Sequence, residues 1–159
     1  ISPYGADPRL QWGAGFNLVY KKWDLGLFFN CSCKRTFSIA GMKPFASQTN
    51  NGPRNVLQII ADSYYSINDP DNFNVNYPLL AVSDTDAKHN MENSTFWLRN
   101  GKFVRFKTLE LGYSFKHCRV YLNADNLAVW GPFKGWDPEL SWDRYPLSQT
   151  FQIGAQFRF

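Results

Sequence analysis

Trp130, Trp136 and Trp142, with Asp137 beside the second, are the side chains in this sequence best suited to recognition chemistry. An indole face stacks on a sugar ring, and it equally well anchors a loop with no ligand present. Trp97 and Arg99 invite the same pair of readings. A second group, Glu110, Asn123 and Asp125, alternates with apolar neighbours, so these polar side chains point away from the apolar ones. They either hydrogen-bond a hydrophilic ligand or are simply solvated. Catalysis has little to work with. His89 falls in a loop and His117 at a turn, no Gly-x-Ser-x-Gly element is present, and no triad can be assembled, so no enzyme is expected. Asp69-Pro70-Asp71 and Asp84-Thr85-Asp86 offer oxygen ligands, but neither continues into the glycine and closing glutamate of a calcium loop. They read as solvated turn acids. Cys31-Ser32-Cys33 supplies too few ligands for zinc, and Cys118 lies at the wrong end of its strand to bridge either thiol. The expectation is unpaired thiols, no metal and no cofactor.

The whole-chain numbers narrow the class. Of 159 residues, 44% are hydrophobic and 18% aromatic, yet mean hydropathy is only −0.39. No run of about 18 apolar residues exists, which excludes a membrane-crossing helix. Crossing by strands escapes that test, because half of each strand faces a polar lumen. Net charge is +4 and the pI about 9.0, but Lys and Arg are scattered and no helix-turn-helix or RNP-like motif appears. Nucleic acid is not an expected partner. Ile1-Ser2-Pro3-Tyr4 has no signal-peptide pattern, so an exported protein would be a mature product or a piece of one.

The elements that must position these residues are strands. In the last ten residues Phe151, Ile153, Ala155, Phe157 and Phe159 share one parity, and Thr150, Gln152, Gly154, Gln156 and Arg158 share the other. In a strand this separates an apolar face from a polar one. Such an exposed apolar face is an aggregation hazard in water but the normal outer surface of a barrel in lipid. Similar alternation marks strands near 11–20, 22–31, 102–116 and 118–127, with the last near 148–159. Lys21-Lys22 and Lys116-His117 form short basic turns. Strands of about ten residues suit a tilted crossing of the hydrocarbon layer, and Trp12, Tyr20 and Trp23 at strand ends suit its interface. Between about 31 and 101 no strand pattern holds. One helix is expected there, starting at Gly52-Pro53, with Leu57, Ile60, Ala61 and Tyr64 on one face. Arg105 and Lys107 share the apolar parity of the third strand. They sit at the membrane boundary, or a bulge turns Val104 and Phe106 outward instead.

Several stretches together resemble the C-terminal part of SusC/RagA-type TonB-linked outer-membrane transporters of Bacteroidota. They are Pro8-Arg9-Leu10, Tyr20-Lys21-Lys22-Trp23-Asp24-Leu25, the run from Ser94 to Lys107, Leu111-Gly112-Tyr113, the run from Val120 to Leu127, and Lys134-Gly135-Trp136-Asp137-Pro138-Glu139. Gln152, Gly154, Phe157 and Phe159 also match the terminal barrel-assembly signal. The resemblance implies an all-β fold, about five antiparallel strands of a large transmembrane barrel with long extracellular loops, closed elsewhere by further strands and a plug. It implies active import of glycans or peptides across the outer membrane. The partners would be a SusD-like surface lipoprotein, TonB, outer-membrane lipid and the cargo. Glu110, Asn123 and Asp125 would face the lumen, the tryptophans would meet cargo or lipoprotein, and the C-terminus would be periplasmic. The competing class is a soluble carbohydrate-binding β-sandwich using the loop tryptophans as its platform.

Overall fold

The computed structural model describes residues 4–39, 56, 58–80, 88–92, 94–140 and 144–158. Strands β1 (Leu10–Tyr20) and β2 (Trp23–Cys33) form a hairpin closed by Lys21-Lys22. Lys21 takes φ 56°, the left-handed conformation that lets a two-residue turn follow the twist of its strands. Two short strands, β3 (Thr36–Ser38) and β4 (Leu98–Asn100), pair with each other. The long strands β5 (Phe103–Ser114), β6 (Cys118–Trp130) and β7 (Thr150–Phe157) complete a five-stranded sheet of order β1-β2-β5-β6-β7. Every neighbouring pair is antiparallel. The fold is all-β.

Register turns the alternation of each strand into two continuous faces. Leu18, Leu25, Leu111, Leu122 and Ile153 lie opposite one another across all five strands, as do Tyr20, Trp23, Tyr113, Val120 and Ala155. The intervening row on the other face is Asn17, Gly26, Glu110, Asn123 and Gln152. Because side-chain direction has period two, one correctly paired row places every other row.

That rule holds until the middle of β5. Phe28 pairs with Thr108 but Phe29 pairs with Phe106, so Lys107 is the extra residue of a bulge. The shift moves Val104 and Phe106 onto the apolar face, where Phe29 and Phe106 stack at 4.7 Å, and turns Arg105 to the polar face. Of the two sequence readings of Arg105, the boundary position is therefore corrected in favour of the bulge. A compensating irregularity in β6 sets Phe106 against Ala128 and Thr108 against Asp125, with Asn126 at φ 55°. It lets β6 continue to Trp130, beyond the 127 expected from alternation.

The region between 31 and 101 also needs correction, since β2 runs on to Cys33 and β3 and β4 lie within it. No periodicity could have revealed strands three residues long. Gly101 N–H donates to the Arg35 carbonyl at 3.0 Å, tying the two ends of this connection together. The chain divides into two compact units, one comprising Ile1–Phe37 with Arg99–Phe159 and the other Ser38–Leu98. In the second, the described helix α1 is a single turn, Gln58–Ala61, with Ile60 buried. The expected start at Gly52-Pro53 and the position of Leu57 lie outside the described residues. Tyr65 N–H donates to the Tyr77 carbonyl at 2.9 Å, and the Asn76 amide donates to Ser63 Oγ at 2.9 Å. No helix among the described residues is long and apolar enough to cross a membrane, which leaves crossing by strands open.

Candidate functional site

The two faces of the five-stranded sheet differ in chemistry, and both are open. On the apolar face Phe16, Leu18, Phe151 and Ile153 are 56%, 60%, 64% and 82% exposed. Leaving such side chains in water rather than burying them forfeits about 1.5–3 kcal/mol each. Leu111 is exposed and Leu25 half-buried, so no dry core covers this face among the described residues. Aromatic rings gather at the turn end, with Trp23 edge-on to Tyr113 at 4.8 Å and Tyr113 edge-on to Phe115 at 4.7 Å.

The polar face carries two charged clusters. Near the turns, Arg119 on β6 donates to Asp24 on β2 and, at 2.5 Å, to Glu110 on β5. Asp24 stands opposite Gly112, and a Cβ at Gly112 would strike both the Asp24 carboxylate and the Arg119 guanidinium. Glycine there makes room for the ion pair. Arg119 also lies 5.2 Å from the centroid of Tyr121, whose ring covers Gly154 so closely that a Cβ would collide with it. The glycine of the terminal signal is thus where an aromatic ring from the neighbouring strand lies flat across the sheet. Asn123 sits between Glu110 and Gln152, with Oδ1 lacking a hydrogen-bond partner among the described residues. Asp125 accepts from Thr108 Oγ1 at 3.1 Å.

At the opposite end, the bulge delivers Arg105 to two acids of the loop after β6. Its guanidinium is 2.6 Å from Asp137 and 3.1 Å from Glu139, and its side chain is 3% exposed. Asp137 also accepts from the Glu139 backbone N–H at 3.0 Å, closing an Asx turn around Pro138. Arg35 donates to the Pro138 carbonyl at 2.6 Å and to the Ala6 carbonyl at 2.9 Å. Two arginines therefore hold the Trp136–Glu139 segment at the loop end of the first unit. Beside it opens a cleft of about 620 Å³ whose lining includes Gln11, Asn30, Ser32, Arg35, Lys107 and Glu139. Asn30 Oδ1 and Ser32 Oγ have no hydrogen-bond partner among the described residues. This lining offers donors, acceptors and both signs of charge.

The residues singled out in the sequence scatter around this framework. Glu110, Asn123 and Asp125 share the polar face, while Trp130 stands opposite Val104 on the apolar one. Trp130 and Trp136 line a smaller cleft of about 350 Å³ with Phe133 and Pro138. Asp137 serves Arg105. Trp97 belongs to the Ser38–Leu98 unit, where it is buried and edge-on to Phe96 at 5.1 Å. Arg99 lies in β4, half-buried. Trp142 and Phe159 lie outside the described residues, as does Asp84-Thr85-Asp86. The sequence alone assigns no role to Arg35, Asp24, Tyr121 or Arg119, and it places Arg105 only by parity. The available signal was opposite charge on matching parity in different strands, which becomes a pair only once register is known. The three cysteines are free thiols, with Cys31 Sγ and Cys33 Sγ 3.2 Å apart. No group of three or more metal-binding side chains occurs among the described residues.

No family model matches the chain. Among curated proteins it is 24% identical to TonB-dependent receptor P3 of Formosa agariphila, over 96% of this chain and 17% of that protein. It is 30% identical to TonB-dependent receptor SusC of Bacteroides thetaiotaomicron over 42% of this chain and 8% of that protein. Among solved structures, the RagAB peptide importer in its open-open state superposes on 98% of this chain with TM-score 0.66 and 23% identity, using 18% of its own chain. The closed-closed state covers the same 98% with TM-score 0.62. The chain thus spans less than a fifth of the length of these relatives. The matches support a SusC/RagA-type fragment.

Proposed function

We propose that this sheet is part of the wall of an outer-membrane barrel that imports glycans or peptides, coupled to TonB and working with a SusD-like surface lipoprotein. One observation carries the reading: an exposed apolar face, continuous across five strands, stands back to back with a face of ion pairs and amides. Hydrocarbon on one side and water on the other satisfies both. A soluble sandwich would bury the first face and has nothing here to bury it with among the described residues. Similarity to TonB-dependent receptors supports the transport class, and these relatives are named as receptors and importers.

Within this reading the basic turns lie on the periplasmic side with the C-terminus, and the long connection between β2 and β5 lies outside. The cleft at the loop end then sits where cargo enters, with Asn30, Lys107 and Glu139 as hydrogen-bonding groups. Trp130 and Trp136 lie beside the cargo path or against the lipoprotein lid. RagAB is named a peptide importer, which favours a peptide, whose amides and termini match a mixed-charge lining. Enzymatic activity forms no part of the reading.

The test is uptake by cells producing the full-length protein. Lys107→Ala with Asn30→Ala should slow import of short peptides while the barrel still assembles, judged by its heat-modifiable mobility in detergent. Unchanged uptake of peptides and oligosaccharides alike in an assembled barrel would defeat the cargo assignment. Failure of the native protein to fractionate with the outer membrane would defeat the transporter reading itself.

A further inference from the structure

The turn end of the apolar face carries a groove of about 660 Å³ with an almost wholly apolar lining that includes Trp23, Tyr113, Phe115, Val120, Leu122 and Ile153. Its wall runs from Leu111 on β5 to Phe115 just past the end of that strand, four steps or roughly 13 Å. In the row that crosses it, Trp23 and Tyr113 are large while Val120 and Ala155 are small.

Basic residues stand in the turns at this end of the apolar face. Lys21 and Lys22 close the β1–β2 turn, and Lys116 and His117 close the β5–β6 turn; all four are exposed. The backbone joins these turns, since Ser114 N–H donates to the Lys22 carbonyl at 2.8 Å. Arg158 N–H donates to the His117 carbonyl at 2.9 Å, which brings a further exposed cation to the same end. The acids nearest these turns, Asp24 and Glu110, are on the opposite face and are both engaged by Arg119. Positive charge at the rim therefore goes unmatched among the described residues, directly beside an apolar trough.

We propose that this site holds one anionic glycerophospholipid, its acyl chain in the trough between Tyr113 and Ile153 and its phosphate against Lys22 and Lys116. The inference rests on the membrane reading above. It goes beyond that reading in naming a particular lipid class at a particular place. A phospholipid is favoured over a lipopolysaccharide because the turn end then faces the periplasm. A zwitterionic lipid would fill the trough but leave the lysines unanswered.

The full-length protein, inserted in nanodiscs of phosphatidylcholine containing a minor share of phosphatidylglycerol, is released and its retained lipids are measured by native mass spectrometry. Phosphatidylglycerol should be enriched over its share in the disc. Each lysine removed should lower that enrichment about fivefold, so Lys22→Ala with Lys116→Ala should cut it about 25-fold without changing retained phosphatidylcholine. Val120→Trp should fill the trough and lower retention with both lysines intact. Equal retention of the two lipids, or enrichment untouched by the lysine pair, overturns the proposal, as does preferential retention of lipid A in discs that contain it. If the native barrel is heat-modifiable and membrane-inserted yet shows no enrichment, the lipid site falls and the barrel reading stands. Failure to insert removes both.

Discussion

Replacing Arg105 with alanine should free the Trp136–Glu139 segment while leaving the strands paired. Arg105 and Asp137 are 3% and 8% exposed, so truncation strands a buried carboxylate opposite an apolar methyl group. Removing one member of a buried pair costs about 3–5 kcal/mol. Glu139 is 38% exposed and contributes less, being screened by water. The backbone N–H of Glu139 donates to Asp137 at 3.0 Å and reports opening of the segment directly. Its hydrogen exchange in the detergent-solubilised full-length barrel should speed up by roughly two to three and a half powers of ten. Asp137→Ala should do about the same, and the double variant should add little to either single change. Arg105→Met with Asp137→Leu should recover much of the lost stability, read from the barrel's heat-modifiable transition because Asp137→Leu removes the acceptor of the Glu139 N–H, since an apolar pair of similar volume carries no desolvation penalty. Strictly additive single effects, or unchanged exchange in Arg105→Ala, would refute the claim that this ion pair holds the loop.

Three further outcomes test the two-faced sheet. Ile153→Arg should cost about 2–4 kcal/mol if its row lies near the bilayer midplane, whereas Gln152→Arg next to it should be tolerated; the heat-modifiable fraction distinguishes them. Deleting Lys107 removes the bulge and returns Arg105 to the apolar face, so the assembled fraction should fall, while Lys107→Ala, which keeps the residue count, should assemble normally. Gly154→Val drives a side chain into the Tyr121 ring and should impair assembly, and Tyr121→Ala in the same protein should restore it if that collision is the cause.

Much of the fold could be read in advance because a β-strand writes its environment into its sequence at period two. Trp12 to Phe29 and Leu109 to Phe115 alternate strongly enough to place strands, turns and the apolar side of each. Three kinds of feature escaped that reading. Strands of three residues, β3 and β4, are too short to show a period. The bulge at Lys107 reverses the parity of everything before it on β5, and nothing in the composition of Val104-Arg105-Phe106-Lys107 chooses between a bulge and a cationic boundary. Strand β6 runs on to Trp130, past the end of its alternation, because the irregularity at Asn126 shifts its phase.

The candidate site was less legible for a related reason. Glu110, Asn123 and Asp125 could be assigned a direction, but the partner of Glu110 is Arg119 on another strand, and the partner of Asp137 is Arg105, thirty-two positions earlier. By itself, the sequence determined which side chains share a face and that one face is too apolar to leave in water, because alternation is a property of a single strand. Only the tertiary structure decided which cation meets which carboxylate, where an aromatic ring must be given room by Gly154, and which acids leave the basic turns uncompensated. Those outcomes depend on register between strands, a relation between distant segments that no local pattern records.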